Sequence, residues 1–261
     1  MTVLSSILER KYAEVAERRV DRPESELEAA VTKLPLPRSL LSVLSPPGGP
    51  VRIIAEIKRA SPSAGTIDPT VDAAALASRY VRAGGSAISV LTDELGFGGS
   101  LEDLRKVRAG VSVPLLRKDF VVDRYQVLEA REAGADAILL IAAALEEQQL
   151  QALLNASKDL AMDALVEVHD EAELRQALTA GAQILGVNNR DLKTFEVDLS
   201  VSEKLLPLIP PGLRSVAESG IRTAADAVRL RSAGASNFLV GEALVRAKDP
   251  SVLLRELLNL G

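Results

Sequence analysis

A chain of 261 residues, 47% hydrophobic and 26% charged, has the make-up of a soluble globular protein with room for one large α/β domain or two small ones. The absence of cysteine removes disulfide and thiolate chemistry, and a single histidine argues against a structural zinc site. A formal charge of −5 argues against general nucleic-acid binding, and the longest apolar run, Ala137 to Leu145, is far short of the ~18 residues of a membrane helix.

The N-terminal stretch MTVLSSILERKYAEVAERR carries Leu4, Ile7, Leu8, Tyr12 and Val15 at helical spacing and has no signal-peptide core, so a cytoplasmic protein is expected. A second short helix is predicted around Glu24–Thr32, followed by the linker LPLPRSLLSVLSPPGGP. Residues 1–48 therefore read as a helical extension ahead of a domain spanning 49–261. The pattern leaves two placements open: a cap on the underside of that domain, or a helix lying over its functional face.

The domain begins with VRIIAEIKRASPSAG, a buried strand that ends in Glu56 and Lys58. Residues i and i+2 of a strand share a face, so these two charges must be paired, solvated or used. Beyond it, four phrases recur: RAGGSAISVL, EAGADAILLI, TAGAQILGVN and SAGASNFLVG. Their glycines, Gly84, Gly134, Gly181 and Gly234, lie 50, 47 and 53 residues apart. Each fits the left-handed end of a helix followed by a strand buried on both faces. One strand–helix unit needs roughly 25–35 residues, so each interval holds two.

The intervening strands are VPLLRKDF, ALVEVHD and RSVAESG, which gives eight strands near 53–57, 87–91, 113–117, 137–141, 164–168, 184–188, 215–218 and 238–241. Capping-box patterns at Asp123…Gln126, Asp170…Glu173 and Ser200…Glu203 predict helix starts between them. Eight strands alternating with helices indicate a (β/α)8 TIM barrel in the α/β class. An open doubly wound sheet is the structural rival, but no GxGxxG follows the first strand.

Active sites of such barrels lie at the C-terminal strand ends. Those ends carry Glu56 and Lys58, Thr92, Lys118 and Asp119, Glu167 and His169, Asn188, Asn189 and Arg190, Glu218 and Ser219, and Gly241 with Glu242; only the fourth, IAAAL, is apolar. Ionic residues at four separate strand ends facing one mouth are poorly explained by structure alone. The phrases ESGIRT and VGEALV each put a glycine at a strand end before a helix start, where backbone N–H groups suit a phosphate. SPSAG, residues 61–65, reads as a flexible loop over the site.

These residues resemble the indole-3-glycerol phosphate synthase family. The resemblance is carried by AEIKRASPSAG, SVLTDELGFGGS, LLRKDFVVDRYQVLEA, LVEVHDEAEL, LGVNNRDLKTFEVDL, VAESGI and FLVGEALVRA, in the family's order and across nearly the whole barrel. It implies a lyase of tryptophan biosynthesis that closes, decarboxylates and dehydrates 1-(2-carboxyphenylamino)-1-deoxyribulose 5-phosphate. By the same resemblance Lys118 is the general acid and Glu167 the catalytic glutamate, supported electrostatically and in proton transfer by Glu56 and Glu218, while Lys58 is a substrate-contacting lysine and a candidate acid for the dehydration. Asn188 would hold a ribulose hydroxyl, with Arg190 and Ser219 orienting neighbours. Ser61, Gly220, Gly241 and Glu242 fall around the phosphate, and Phe97, Phe120 and Leu139 form a slot for the anthranilate ring. His169 receives no role.

Two positions depart from the family's pattern: Asp93, where many relatives have glutamate, and Glu242, where some have serine, whose carboxylate would have to point away from a phosphate. No metal or organic cofactor is implied, and no nucleic-acid or membrane partner. The expected partner is a small sugar phosphate, bound by a monomer; association with other enzymes of the pathway is not legible. A phosphoribosylanthranilate isomerase is a poor rival because its usual acid/base pair includes a cysteine. A Schiff-base aldolase using Lys118 remains open, as does a non-catalytic sugar-phosphate-binding barrel, although binding alone has no need for two lysines and three glutamates.

Overall fold

A strand that is apolar on both faces must bury both, and a parallel sheet closed on itself and wrapped in helices does so without leaving an edge. The computed structural model describes residues 3–61, 65, 66 and 69–260, with Ser61 and Thr66 described by their backbone alone. It contains that closed barrel. Its strands are β1 (Arg52–Ile57), β2 (Ala87–Leu91), β3 (Leu115–Lys118), β4 (Ala137–Ile141), β5 (Asp163–Val168), β6 (Ile184–Asn188), β7 (Arg214–Glu218) and β8 (Asn237–Val240). All run parallel to their sequence neighbours, and β1 closes the ring against β8, with Arg52 opposite Asn237.

Successive side chains alternate between two apolar layers. Ile54, Ala87, Leu116, Leu139, Leu165, Ile184, Val216 and Leu239 form one cluster inside the barrel. Ile53, Ile88, Leu115, Ile138, Val166, Leu185, Ala217 and Phe238 form the layer between strands and helices. The four repeat glycines all have positive φ, from 90° at Gly181 to 108° at Gly84, as the helix-to-strand turns require.

The extension contains α1 (Val3–Asp21), α2 (Glu24–Val31) and α3 (Leu40–Val43), and it does both jobs the sequence left open. Helix α1 lies over the C-terminal face of the barrel, where Leu4 and Ile7 pack on the inner cluster. Farther along, Val15 joins Leu27 and Val31 of α2 against Tyr125 and Leu128. Helix α3 plugs the opposite end: Leu40 and Leu44 are buried in the same inner cluster. It is tied there by Asp163, whose Oδ2 accepts from the Leu41 backbone N–H at 2.9 Å and the Ser39 hydroxyl at 3.0 Å. The sequence had marked this segment only as linker.

Three local expectations need correction. The third strand starts at Leu115 instead of 113, because Pro114 has no N–H to give the ladder. No box forms at Ser200…Glu203; Asp198 accepts from the Ser200 N–H at 2.9 Å, and Glu203 pairs with Arg229. Asp170 does cap its helix, but Glu173 turns back to His169 instead of closing the box.

Candidate active site

The C-terminal mouth opens into a cavity of about 460 Å³ lined by residues from all eight strand ends and by α1. Two glycines make its ionic cluster possible. A Cβ on Gly186 would fall on the Glu218 carboxylate, and one on Gly241 would press on that of Glu56. Missing side chains on β6 and after β8 thus leave room for carboxylates from β7 and β1.

The cluster is organised as two ion pairs. Lys58 Nζ lies 2.7 Å from Glu56 Oε1, so of the outcomes the i, i+2 spacing left open the two charges are paired. Lys118 Nζ lies 2.9 Å from Glu167 Oε2 and 3.5 Å from Glu218 Oε2. Burial by itself would depress the Lys118 pKa, but Glu167, Glu218 and Glu56 outweigh it and hold the ammonium well above the usual range. For Glu167, burial favours the acid, yet Lys118 and His169 keep the carboxylate ionised far below the usual range. Glu218 goes the other way: burial, added to repulsion from Glu167 and Glu56, outweighs Lys118 and raises it to about 8. Its Oε1 has no hydrogen-bond partner.

On one side of the lysines the wall is apolar. Phe97 and Phe120 stand with ring centroids 6.3 Å apart, tilted by 42°, and Leu139 and Ile141 complete the slot with Leu4 and Ile7 of α1. On the other side are the loops after β7 and β8. Ser219 and Gly220 both have positive φ, 61° and 82°, a conformation unusual for serine that turns the chain sharply at the rim. Gly241 precedes the short helix Glu242–Arg246. Arg190, Arg222 and Arg246 line this end of the cavity. Glu242 lines the cavity as well, its carboxylate 3.0 Å from Arg246 Nε and 3.7 Å from Arg190 Nη2. Asn188 also lines the cavity, its Oδ1 accepting from the Arg190 N–H at 3.0 Å.

The structure thus gathers Glu56, Lys58, Phe97, Lys118, Phe120, Leu139, Glu167, Asn188, Arg190, Glu218, Ser219, Gly220, Gly241 and Glu242 around one cavity. The side chain of Ser61 and residues 62–64 of the SPSAG loop lie outside the described residues. Asn189 is structural: its amide nitrogen donates to the carbonyls of Glu218 and Ser219, and its Oδ1 accepts from Ser202 N–H.

Sequence reasoning missed the layer above Lys118. Lys11 of α1 is buried, with Nζ 2.6 Å from Asp93 Oδ1 and 3.0 Å from Asp119 Oδ1. Asp119 also receives Arg117 at 3.0 Å, the Thr92 hydroxyl at 2.6 Å and the Phe120 backbone N–H at 2.8 Å. Burial alone would raise its pKa; Arg117 and Lys11 bring it down to about 2. Nothing in the spacing of α1 distinguished Lys11 from a solvated lysine. Arg222 and Arg246 were also overlooked, although Arg222 stands inside the ESGIRT phrase.

A family model described as indole-3-glycerol phosphate synthase matches residues 4–257. Among curated proteins, the indole-3-glycerol phosphate synthase of Parafrankia sp. (strain EAN1pec) is 48% identical over 261 residues, covering 100% of this chain and 97% of the relative. That of Mycolicibacterium gilvum (strain PYR-GCK) is 48% identical over 260 residues, covering 100% and 95%. Solved structures with the same fold include 3-hexulose-6-phosphate synthase from Salmonella typhimurium, at TM-score 0.66 and 16% identity over 80% of this chain and 98% of that one. KGPDC from Streptococcus mutans superposes at TM-score 0.61 and 17% identity, over 81% and 97%. At such low identity these two likenesses concern the fold alone.

Proposed function

This chain belongs to the indole-3-glycerol phosphate synthase family, and we propose from its cavity how the residues divide that family's reaction. The enzyme is a carboxy-lyase of tryptophan biosynthesis that converts 1-(2-carboxyphenylamino)-1-deoxyribulose 5-phosphate to indole-3-glycerol phosphate, carbon dioxide and water.

The anthranilate ring enters the Phe97–Phe120–Leu139 slot, and the phosphate goes to the Ser219–Gly220 and Gly241–Glu242 loops. Arg190, Arg222 and Arg246 supply positive charge at that end. Asn188 holds a ribulose hydroxyl between the two ends. Ring closure joins the ring carbon bearing the carboxylate to the ketone carbon, and the electron pair leaving the carbonyl must meet a proton. Lys118 supplies it. Loss of carbon dioxide restores the aromatic ring; the new hydroxyl then leaves as water while a neighbouring proton is removed. Glu167 balances the cationic intermediate and accepts protons, and Lys58, paired with Glu56, assists departure of the hydroxyl.

The observation that carries this reading is Lys118 held charged beside Glu167 and Glu218, in the cavity that also contains the apolar residues and the loops after β7 and β8. A Schiff-base lysine needs a neutral amine, so the same observation disfavours an aldolase. Glu242 fits if the phosphate meets its backbone N–H while its carboxylate stays with Arg246.

The reading also has the chain acting as a cytoplasmic monomer on a small sugar phosphate; no helix among the described residues is long and apolar enough to cross a membrane. Incubating the purified protein with the substrate and following the indole fluorescence of the product tests the activity, and size-exclusion chromatography tests the monomer. Absence of indole formation, or borohydride trapping of substrate on Lys118, would overturn the assignment.

A further inference from the structure

Glu167 is approached by cations from two sides. Lys118 reaches Oε2 from across the barrel, at 2.9 Å. His169, which follows β5 by one residue, stands behind Glu167 and does not line the cavity; its Nε2 is 3.4 Å from the other oxygen, Oε1. The imidazole is itself anchored: Nδ1 lies 2.9 Å from Glu173 Oε2, and the same oxygen accepts from the His169 backbone N–H at 2.7 Å. Glu173 sits in the first turn of the helix Glu171–Thr179, whose start Asp170 caps, so a helix terminus fixes the ring.

We propose that His169 is a positioning residue for the reaction, an imidazolium bridging Glu173 and Glu167 that orients the Glu167 carboxylate and keeps it ionised when Lys118 gives up its proton. This rests on the role given to Glu167 above. A structural histidine would need only its i, i+4 pair with Glu173. Here the second nitrogen is buried without a hydrogen-bond partner, and the group it faces, 3.4 Å away, is a carboxylate oxygen that an imidazolium would attract through charge alone. Either neutral tautomer would turn a lone pair toward a carboxylate, Nε2 toward Glu167 or Nδ1 toward Glu173, so both nitrogens carry protons.

The charges facing this unit are Glu173 on its helix, Glu167 on β5, Lys118 on β3 and, beyond Lys118, Glu218 on β7 and Glu56 on β1. Burial works against the imidazolium, but Glu167 and Glu173 outweigh it and raise the pKa to about 10. The charge is therefore permanent over the neutral range, which suits an electrostatic anchor and not a proton shuttle. Its value follows from the order of events. When Lys118 protonates the ketone oxygen it becomes neutral, and Glu167 loses its other counter-ion. Without His169 the carboxylate would then take up a proton itself and fail as the base and anion of the later steps.

The test compares His169→Leu, His169→Gln, Glu167→Gln and the double variant His169→Leu/Glu167→Gln by steady-state kinetics across pH, with thermal melts beside them. Losing a positive charge 3.4 Å from Glu167 should lower kcat by about tenfold to a hundredfold in His169→Leu. KM should move little, because the ring does not touch the cavity, and the acid limb of the kcat profile should shift to higher pH as Glu167 becomes easier to protonate. His169→Gln keeps a donor but no charge, so it should restore part of kcat while retaining the shifted limb; it also carries the test if the leucine variant does not fold. In the Glu167→Gln background, His169→Leu should cost nothing further. A His169→Leu kcat within about twofold of wild type with a superimposable profile, or an undiminished loss in the double variant, would overturn the inference alone. An active Glu167→Gln enzyme would instead remove the role assigned to Glu167, and this inference with it.

Discussion

Lys11 and Asp119 meet at 3.0 Å although one belongs to the extension helix and the other follows the strand that carries Lys118. Both are buried, and Asp93 shares the ammonium. The contact joins α1 to the residue next to the proposed general acid and, through the Phe120 N–H on Asp119, to the aromatic slot.

Replacing Lys11 with Met should leave Asp93 and Asp119 short of a buried counter-ion. Removing one partner of such a network costs about 3–5 kcal/mol, which for a chain of this size corresponds to a melting shift on the order of 10 °C. Arg10, Arg117 and Thr92 remain to soften the loss, so the lower end is expected. Because Leu4 and Ile7 line the cavity, KM should rise more than the melting shift explains. Deleting residues 1–45 does not isolate this effect, since it also pulls Leu40 and Leu44 out of the barrel floor. An unchanged melt together with an unchanged KM would show that α1 is not held by Lys11.

The barrel was legible because its signals are periodic: Ala-Gly turns about 50 residues apart and apolar runs of strand length survive any detail of packing. The ionic cluster was legible because strand ends converge in this fold, so Glu56, Lys58, Lys118, Glu167 and Glu218 could be gathered without knowing a single distance. Lys11 and α3 were not legible for a shared reason. Each acquires its meaning from a partner distant in sequence, as with Lys11 and Asp119, or Leu40 and the barrel interior. Even the local pattern Asp170…Glu173 misled, because His169 competes for the glutamate that a capping box would use.

The second prediction concerns Glu218. Its folded pKa is raised from 4.5 to about 8, so the folded state holds this proton more tightly than the unfolded chain. That contribution is fully present below about pH 4.5 and is lost as pH rises through about 8. Glu218→Gln removes the titration while keeping the shape. The melting temperature of the wild type should therefore fall relative to that of Glu218→Gln between pH 5 and pH 8. Parallel melting curves over that range would mean that Glu218 is ionised throughout.

Anion binding at the β7 and β8 loops gives a third. Inorganic phosphate that binds the folded state alone raises its melting temperature by mass action. Chloride at equal ionic strength should do less. Replacing Arg246 or Arg222 with Met should shrink the difference. Equal shifts in phosphate and chloride would count against the site.

The last prediction separates the two lysines. Lys118 faces the ketone oxygen in the proposed reaction, where charge changes most as the ring closes. Methionine in its place keeps much of the length and removes both charge and proton. General acid catalysis is worth ~10²–10⁴-fold, and the lost electrostatic stabilisation adds to it, so Lys118→Met should lower kcat by at least about a thousandfold while substrate still binds. It also leaves Glu167 with His169 as its remaining close cation, so melts and circular dichroism must accompany the kinetics. Lys58→Met should instead raise KM as well as lower kcat, because that lysine touches substrate in the proposed complex. Its loss leaves Glu56 buried without the partner now 2.7 Å away, and some loss of stability is expected with it. If a folded Lys118→Met protein kept more than about a tenth of the wild-type kcat, another group would have to protonate the ketone. Glu218, a buried acid 3.5 Å from the same ammonium, would be the first to examine.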